Sequence, residues 1–376
     1  MEFGLIETLR VEGSPYEMGY IQGEYFSNQI KKAADTLLNL PSLKSMVPRY
    51  LPRGIFKYLI GKKAWNLIRK YMSYTPSVWL RFGGIVSGSK VWKEELAFLH
   101  LGEVLLNRSS YDIPLDSCTA VAVLPSMFGK MVVMKNFDYP PEIRTFNLLR
   151  YSIPKRGIPS VELTKTPVAI SHDGMNREGL VVLYNYAASI YSSEDGPLIG
   201  ALVQHVLETA KNVEEALEIV MSYPLSPSAG MLLIADKKKA VSVEISPKKK
   251  QIRYPIGDFL INTNHYQLPD MISHQIPQRA VFRSGPFAGK RILESSEKRY
   301  QRALEILNGG MNSIKDVFNL ARDHGKDGVP NNNTICRHGE PLSSTIVSAI
   351  FVPEDGIVYY RGGNPCEGPY GKFVFN

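Results

Sequence analysis

The chain has 376 residues, 44% apolar and 21% charged, a composition that excludes disorder and supplies ample core for one large or two ordinary domains. Three cysteines (Cys118, Cys336, Cys366) exclude a disulfide framework and leave no CxxC pair for zinc or redox chemistry. The net charge of +8 invites a nucleic-acid partner, but two lysine triplets in "ADKKKAVSVEISPKKKQIRY" fall at the turns of a three-strand meander, where charge serves solvation. No recognition helix or stacking groove accompanies them, so nucleic acid is not expected as a partner.

The start carries neither a basic n-region nor an apolar h-region, and no apolar run reaches the roughly 18 residues of a membrane span. A cytoplasmic location is expected. Residues up to about 115 read mainly as helix. "GSPYEMGYIQGEYF" has Ser14 as N-cap, Pro15 at the first helical position and Glu17 to close a capping box; Gly19 and Gly23, one turn apart, permit close approach of another backbone. The basic, aromatic stretch 55–82, with Trp65 and Trp79, has near-helical apolar spacing. It reads as a helix with its cationic side in water, with an interfacial, membrane-touching helix as the other reading. Residues 91–107 read as another amphipathic helix.

From Cys118 the apolar period becomes two. Strands are expected near 119–124, 130–136 and 147–153, then a tight pair within 166–186. Two helices follow over 198–210 and 212–223, the second capped by Asn212. The lysine-turned meander leads to "DFLINTNHY", two helices over 296–307 and 313–325, and a final strand pair over 344–363. Segregated runs of this kind imply a layered α+β fold with antiparallel sheets between helical layers.

Cys118 poses the functional question. It is either a small buried hydrophobe or a nucleophile. If the Ser117–Cys118 bond were cut, the freed α-amine would titrate near 8 in its usual range and serve the adjacent thiol as base. A turn across the hairpin brings Lys135 and Asp138 of "KNFDY" back toward Cys118, for anion binding and for orienting the amine; the plain alternative is an exposed strand-end ion pair. Asn264 in "INTNHY" and Asn185 in "VLYNYA" are candidate oxyanion donors or satisfied strand residues. Arg299 is a candidate to tie the site together from behind.

"GSPYEMGYIQGEYF", "DSCTAVAV…VVMKNFDY", "GMNREGLVV", "LINTNHY", "SSEKRYQRAL", "TICRHG" and "STIVSAIF…GNPC" occur in this order. Together they resemble the acyl-coenzyme A:6-aminopenicillanic-acid acyltransferase family of N-terminal-nucleophile (Ntn) hydrolases. The resemblance implies a four-layer αββα sandwich, a helical N-terminal pro-segment or small subunit (1–117) and a catalytic domain (118–376). It also implies self-cleavage between Ser117 and Cys118, then amide hydrolysis or acyl transfer through a Cys118 thioester. Related bile-salt hydrolases and penicillin V acylases carry Arg-x-x-Asp where this chain has Lys135 and Asp138; their asparagines match Asn185 and Asn264, and a further arginine matches Arg299. Lys135 keeps the charge but not the planar geometry of an arginine. The implied partner is a small N-acyl substrate, with an acyl-CoA as one acyl donor, and neither cofactor nor metal is expected. "TICRHG" reads as structural or substrate-lining, and the stretch 55–82 is expected to cover the active-site face and to share in the acyl-chain pocket. Competing readings are an unprocessed ligand-binding protein on the same fold and a papain-like thiol hydrolase pairing Cys118 with His265 or His172, although the sequence context of papain-type sites is absent. Acyl group, acceptor and oligomeric state are not readable from sequence.

Overall fold

A computed structural model describes residues 6–40, 52–102, 104, 111, 117–283, 287–339 and 343–375. The N-terminal part begins with a strand not expected from sequence, β1 (Glu7–Gly13), which pairs in parallel with residues 148–154. Only Val11 of β1 is fully buried, so no alternation marks it; long-range pairing makes it a strand. Helices α1 (Pro15–Tyr25), α2 (Ser27–Asn39), α3 (Arg53–Met72), α4 (Pro76–Ser89) and α5 (Lys93–His100) follow. The capping box of Ser14 and Glu17 forms as expected. The helix expected over 91–107 is described only as α5; residues 103 and 105–110 lie outside the described set.

The two early glycines do what their spacing suggested. α1 and α4 cross through reciprocal glycine contacts: a Cβ built on Gly19 would lie 2.0 Å from the Arg81 carbonyl oxygen, and one on Gly84 would lie 2.1 Å from that of Tyr16. Gly23 and Gly88 repeat the contact one turn on. Gly19→Ala is therefore expected to lower the unfolding free energy by about 3 kcal/mol or more. Gly54→Ala, where a Cβ meets nothing within 4 Å, should change it by less than about 1 kcal/mol. Urea unfolding of the two variants checks this, and equal midpoints would contradict it.

Two sheets form the body. One has eight strands in the order β1, β4 (Asn147–Pro154), β5 (Ser160–Lys165), β6 (Asp173–Asn176), β7 (Val181–Tyr186), β8 (Gly230–Ala235), β9 (Ala240–Ser246), β10 (Lys249–Arg253). The other has six: β11 (Phe259–Asn262), β2 (Ser117–Val123), β3 (Val132–Tyr139), β12 (Ser344–Val352), β13 (Ile357–Gly362), β14 (Gly371–Val374). Along β2 the residues alternate: Cys118, Ala120 and Ala122 join the core between the sheets, while Val121 and Val123 join the apolar cluster of the outer helices. Those helices are α8 (Glu294–Asn308) and α9 (Ile314–Ala321), through Ala303, Leu307, Val317 and Leu320. On the other sheet lie α6 (Ile199–Thr209) and α7 (Val213–Ser222), the latter capped by Asn212, whose side chain accepts from the Glu215 N–H. The result is the expected helix–sheet–sheet–helix sandwich. Because β2 and β3 are covered on both faces, their period-two signal survives only as a contrast between two apolar environments.

The lysine triplets sit at the β8–β9 and β9–β10 turns, where Lys239 pairs with Glu214 and Lys249 with Asp270 (2.9 Å). Among the described residues no helix is long and apolar enough to cross a membrane.

Candidate active site

Cys118 is the second residue of β2, directly opposite Phe137 of β3, and is fully buried between the sheets. Its backbone N–H donates to Asn264 Oδ1 at 2.9 Å. Asn264 follows β11, the other neighbour of β2, and its amide Nδ2 donates to the Tyr186 carbonyl (2.8 Å), which ties the end of one sheet to the other. From the outer helical layer Arg299 of α8 reaches in, fully buried. Its Nη1 donates to the Cys118 carbonyl (2.5 Å) and Thr119 Oγ1 (2.9 Å), and its Nη2 to Asn264 Oδ1 (2.8 Å). The Cys118 backbone is thus gripped on its N–H by Asn264 and on its carbonyl by Arg299, and these two side chains grip each other.

Asp138 and Lys135 are both fully buried, which rules out the exposed strand-end ion pair. Asp138 lies opposite Ser117 in the register, one residue out of phase with Cys118, so its side chain takes the opposite face of the sheet from the thiol. One carboxylate oxygen accepts from the Thr345 hydroxyl (2.7 Å), and the other is buried with no hydrogen-bond partner among the described residues. Burial raises the Asp138 pKa above its usual value, against the opposing pull of Arg299 and then Arg337. The acceptor on the Cys118 nitrogen in the intact chain is therefore Asn264 rather than Asp138.

Lys135 shares the inner face with Cys118 and belongs to a second cluster. Its Nζ donates to the Tyr184 carbonyl (2.5 Å) and Asn185 Oδ1 (2.9 Å) and lies 3.4 Å from Asp173 Oδ1. Asn185 in turn donates both amide hydrogens, to the carbonyls of Asn262 (3.1 Å) and Thr263 (3.0 Å). An oxyanion role for Asn185 is not available in this geometry, because the group that would donate is already committed to β11. Two contributors went unread in the sequence. Asp173 is an ordinary-looking residue in "SHDGMN", and Ser296 accepts from the Asn264 N–H (2.7 Å) and donates to Thr263 Oγ1 (3.0 Å); neither carries a local signal, since each gains its role only when β6 or α8 docks.

The histidines of the papain-like reading do not supply a base. His265 Nδ1 is bonded to Ser296 Oγ (2.7 Å), and its Nε2 faces the Gln267 amide (2.7 Å). Burial, then Arg299 and Arg253, push its pKa down to about 4. His172 stacks near Phe137, and burial, then Lys165 and Lys135, push it down to about 3. Both rings stay neutral and weakly basic near neutrality.

A narrow cleft, partly open to solvent, lies along Phe137, the cross-strand partner of Cys118. Its walls are apolar side chains such as Leu37, Leu99, Tyr139 and Ile170, with Lys165 lying over the Phe137 ring (4.5 Å). Directly opposed strand residues on one face hold their Cβ atoms about 5 Å apart, which sets the Cys118 side chain beside the cleft's Phe137 wall. The N-terminal part contributes to this cleft through α2 and α5, not through the stretch 55–82 as expected. Trp65, Trp79 and Phe82 instead stack on one another behind it, and Phe82 meets the edge of His100, itself a wall residue.

The family model described as acyl-coenzyme A:6-aminopenicillanic acid acyl-transferase matches residues 128–367. A curated relative from Emericella nidulans, the 40 kDa form of acyl-coenzyme A:6-aminopenicillanic-acid-acyltransferase, is 23% identical over 353 residues, covering 90% of this chain and 88% of the relative. Among solved structures, a Caenorhabditis elegans N-acylethanolamine-hydrolyzing acid amidase ortholog is 14% identical, covering 69% of this chain and 100% of that one, with a TM-score of 0.44. Penicillin V acylase from Agrobacterium tumefaciens is 18% identical, covering 65% and 82%, with a TM-score of 0.42.

Proposed function

Because the chain belongs to the acyl-coenzyme A:6-aminopenicillanic acid acyl-transferase family, we propose that it is a self-processing Ntn enzyme that cleaves or transfers an acyl group at an amide C–N bond, with Cys118 as nucleophile. The observation that carries this reading is the double grip on Cys118, with its N–H on Asn264 and its carbonyl on Arg299. A cysteine with only a packing role needs no buried arginine and asparagine converging on its backbone.

In the first reaction the Cys118 thiol attacks the Ser117 carbonyl, the peptide C–N bond breaks in an N-to-S acyl shift, and water hydrolyses the resulting thioester. The new α-amine keeps Asn264 Oδ1 as its acceptor, which orients its lone pair. In turnover that amine takes the thiol proton, the thiolate attacks the substrate carbonyl, and the proton passes to the departing amine as the acyl-cysteine thioester forms. Water or a second amine then resolves the thioester. Asn264 and Arg299 are positioning residues for the nucleophile, Asp138 places a buried carboxyl beside the cut, and Lys135 with Asn185 and Asp173 locks the two sheets around it. The division into a 117-residue segment and a catalytic domain follows from this cut.

The apolar cleft along Phe137 fits the acyl chain of a small N-acyl substrate or acyl-CoA donor, and Lys165 offers a cation for an anionic group on it. Intact mass under denaturing conditions tests the proposal. The wild type is expected as pieces of 117 and the remaining 259 residues, the larger beginning Cys-Thr-Ala-Val, and Cys118→Ala as one chain. A wild type that stays whole, binds an acyl ligand and consumes none would instead support the unprocessed binding-protein reading.

A further inference from the structure

Three separate segments bring the two remaining cysteines together with two histidines, well away in sequence from the cluster around Cys118. His324 lies in the loop after α9, Cys336 and His338 lie two apart in "TICRHG", and Cys366 lies on the short turn that leads to β14. One donor atom from each falls within 4.8 Å of all the others. Three of the separations are resolved individually: Cys336 Sγ to Cys366 Sγ 3.6 Å, Cys366 Sγ to His338 Nε2 3.3 Å, and His338 Nε2 to His324 Nε2 3.2 Å. Zinc–sulfur bonds of about 2.3 Å and zinc–nitrogen bonds of about 2.0–2.1 Å place tetrahedral ligands at edges of roughly 3.8, 3.5 and 3.3 Å respectively. The three separations follow that order and lie within about 0.3 Å of it. The sulfurs stand well beyond the roughly 2.05 Å of a disulfide.

We propose that His324, Cys336, His338 and Cys366 hold a structural zinc ion. A Cys2His2 set is a closed tetrahedral donor set for zinc, and soft thiolates with imidazoles select against the hard, oxygen-preferring cations. Loading replaces two thiol protons, released to solvent, by one Zn2+, so the complex carries no net charge, which suits a buried Cys336 and half-buried partners. The spacing hides this site in the sequence. The ligands arrive from positions 324, 336, 338 and 366, with no CxxC to announce them.

The site has a definite structural task. Arg337 lies between two of the ligands; its N–H donates to Thr345 Oγ1 (2.9 Å), and its carbonyl accepts from the Thr345 N–H (2.7 Å). Thr345 is the residue whose hydroxyl holds Asp138. Asn136, two residues from Asp138, donates to the carbonyls of Ile335 and Ala321 in the same region (both 2.9 Å). A metal there fixes the loop 322–339 to the last turn of the chain and, through it, the far side of β3.

The test is metal content of the full-length chain by plasma mass spectrometry, after stripping with a chelator and reloading with zinc chloride. About one zinc per chain is expected in the wild type, with a thermal midpoint several degrees higher when loaded than when stripped. Cys366→Ser and His324→Ala, both at half-buried positions, should fall below about a tenth of a zinc per chain while keeping a folded circular dichroism spectrum. Cobalt loading should give thiolate-to-metal absorption in the wild type and none in Cys366→Ser. A folded wild type that takes up no zinc would overturn the proposal. So would variants that keep full zinc content, or a Cys336–Cys366 disulfide in protein alkylated during purification under reducing conditions.

Discussion

Replacing Arg299 by alanine is expected to leave the chain whole and to lower its unfolding free energy by about 3–5 kcal/mol. The guanidinium is fully buried and bonds to the Cys118 carbonyl, Thr119 Oγ1 and Asn264 Oδ1 (2.5, 2.9 and 2.8 Å). Its removal takes one charged donor from each of these buried acceptors and leaves Asn264 Oδ1 with the Cys118 N–H. It also takes away the strongest charge opposing the burial of Asp138, whose carboxyl would then titrate still further above its usual range. Both effects act on the Ser117–Cys118 peptide proposed as the cleavage site: the carbonyl side of Cys118 loses its anchor, and Asn264 loses the partner that aims its oxygen at the Cys118 nitrogen.

A fall in stability alone would explain loss of cleavage trivially, so Arg299→Lys is the informative companion. An ammonium keeps the charge but, as a point donor on a flexible stem, cannot meet three acceptors in one plane. It should fold at moderate temperature and cut at least about 100-fold more slowly than the wild type, a rise of roughly 3 kcal/mol in the barrier. Time-resolved intact mass at a temperature where both are folded gives the ratio. Wild-type cutting by Arg299→Lys would remove Arg299 from the positioning machinery.

Arg299 also shows what a sequence can and cannot convey about such a site. The layered α+β order, the hairpin at Cys118 and the caps at Ser14 and Asn212 are local patterns, set by side-chain period and by residues that satisfy their own backbone, and they appear in the fold as read. Arg299 and Asn264 are named by motif, but nothing in either motif reveals that one bonds the other. That contact exists because α8 crosses the outer face of β2 and β11 follows its edge. Lys135 and Asp138 illustrate the opposite problem. A three-residue spacing suggests neighbours, yet the pleat sends their side chains to opposite faces, into two different clusters. β1 and the aromatic stack of Trp65, Trp79 and Phe82 depart from the sequence expectation for a related reason, since a strand with one buried residue and a helix packed mainly against other helices carry no local label of what they meet.

After the proposed cut, residues 1–117 are expected to remain bound to the catalytic part and to need denaturant for release. This segment contributes β1, paired along seven residues with β4, and buried polar side chains that bond across to the catalytic part, Gln22 and Arg81 among them. Arg81 Nη2 meets Glu208 Oε1 at 2.9 Å, and its Nη1 lies 3.2 Å from Ser152 Oγ and 3.8 Å from Glu162 Oε2. Gln22 donates to the carbonyls of Thr166 (2.9 Å) and Val168 (3.0 Å) and accepts from Arg150 (2.8 Å). Arg81→Ala leaves Glu162 and Glu208 buried with one cation fewer, at a cost of about 3–5 kcal/mol, or a roughly 100- to 4,000-fold weakening of the association. Native size-exclusion chromatography should show the two wild-type pieces together, separating in urea at a midpoint that Arg81→Ala lowers. The same network sets an acid limit. Burial pushes the Glu162 carboxyl up, but Arg150 and Arg81 together hold it below its ordinary value near 4.5. A depressed carboxyl stabilises the folded state fully above about pH 4.5 and loses that contribution as pH falls through its lowered value, so the loss should set in below about pH 4.5. Glu162→Gln removes this titration, and the difference in urea midpoint between it and the wild type should shrink as pH is lowered from 6 to 3. Pieces that part on the column without denaturant would show that the buried network does not hold the halves together.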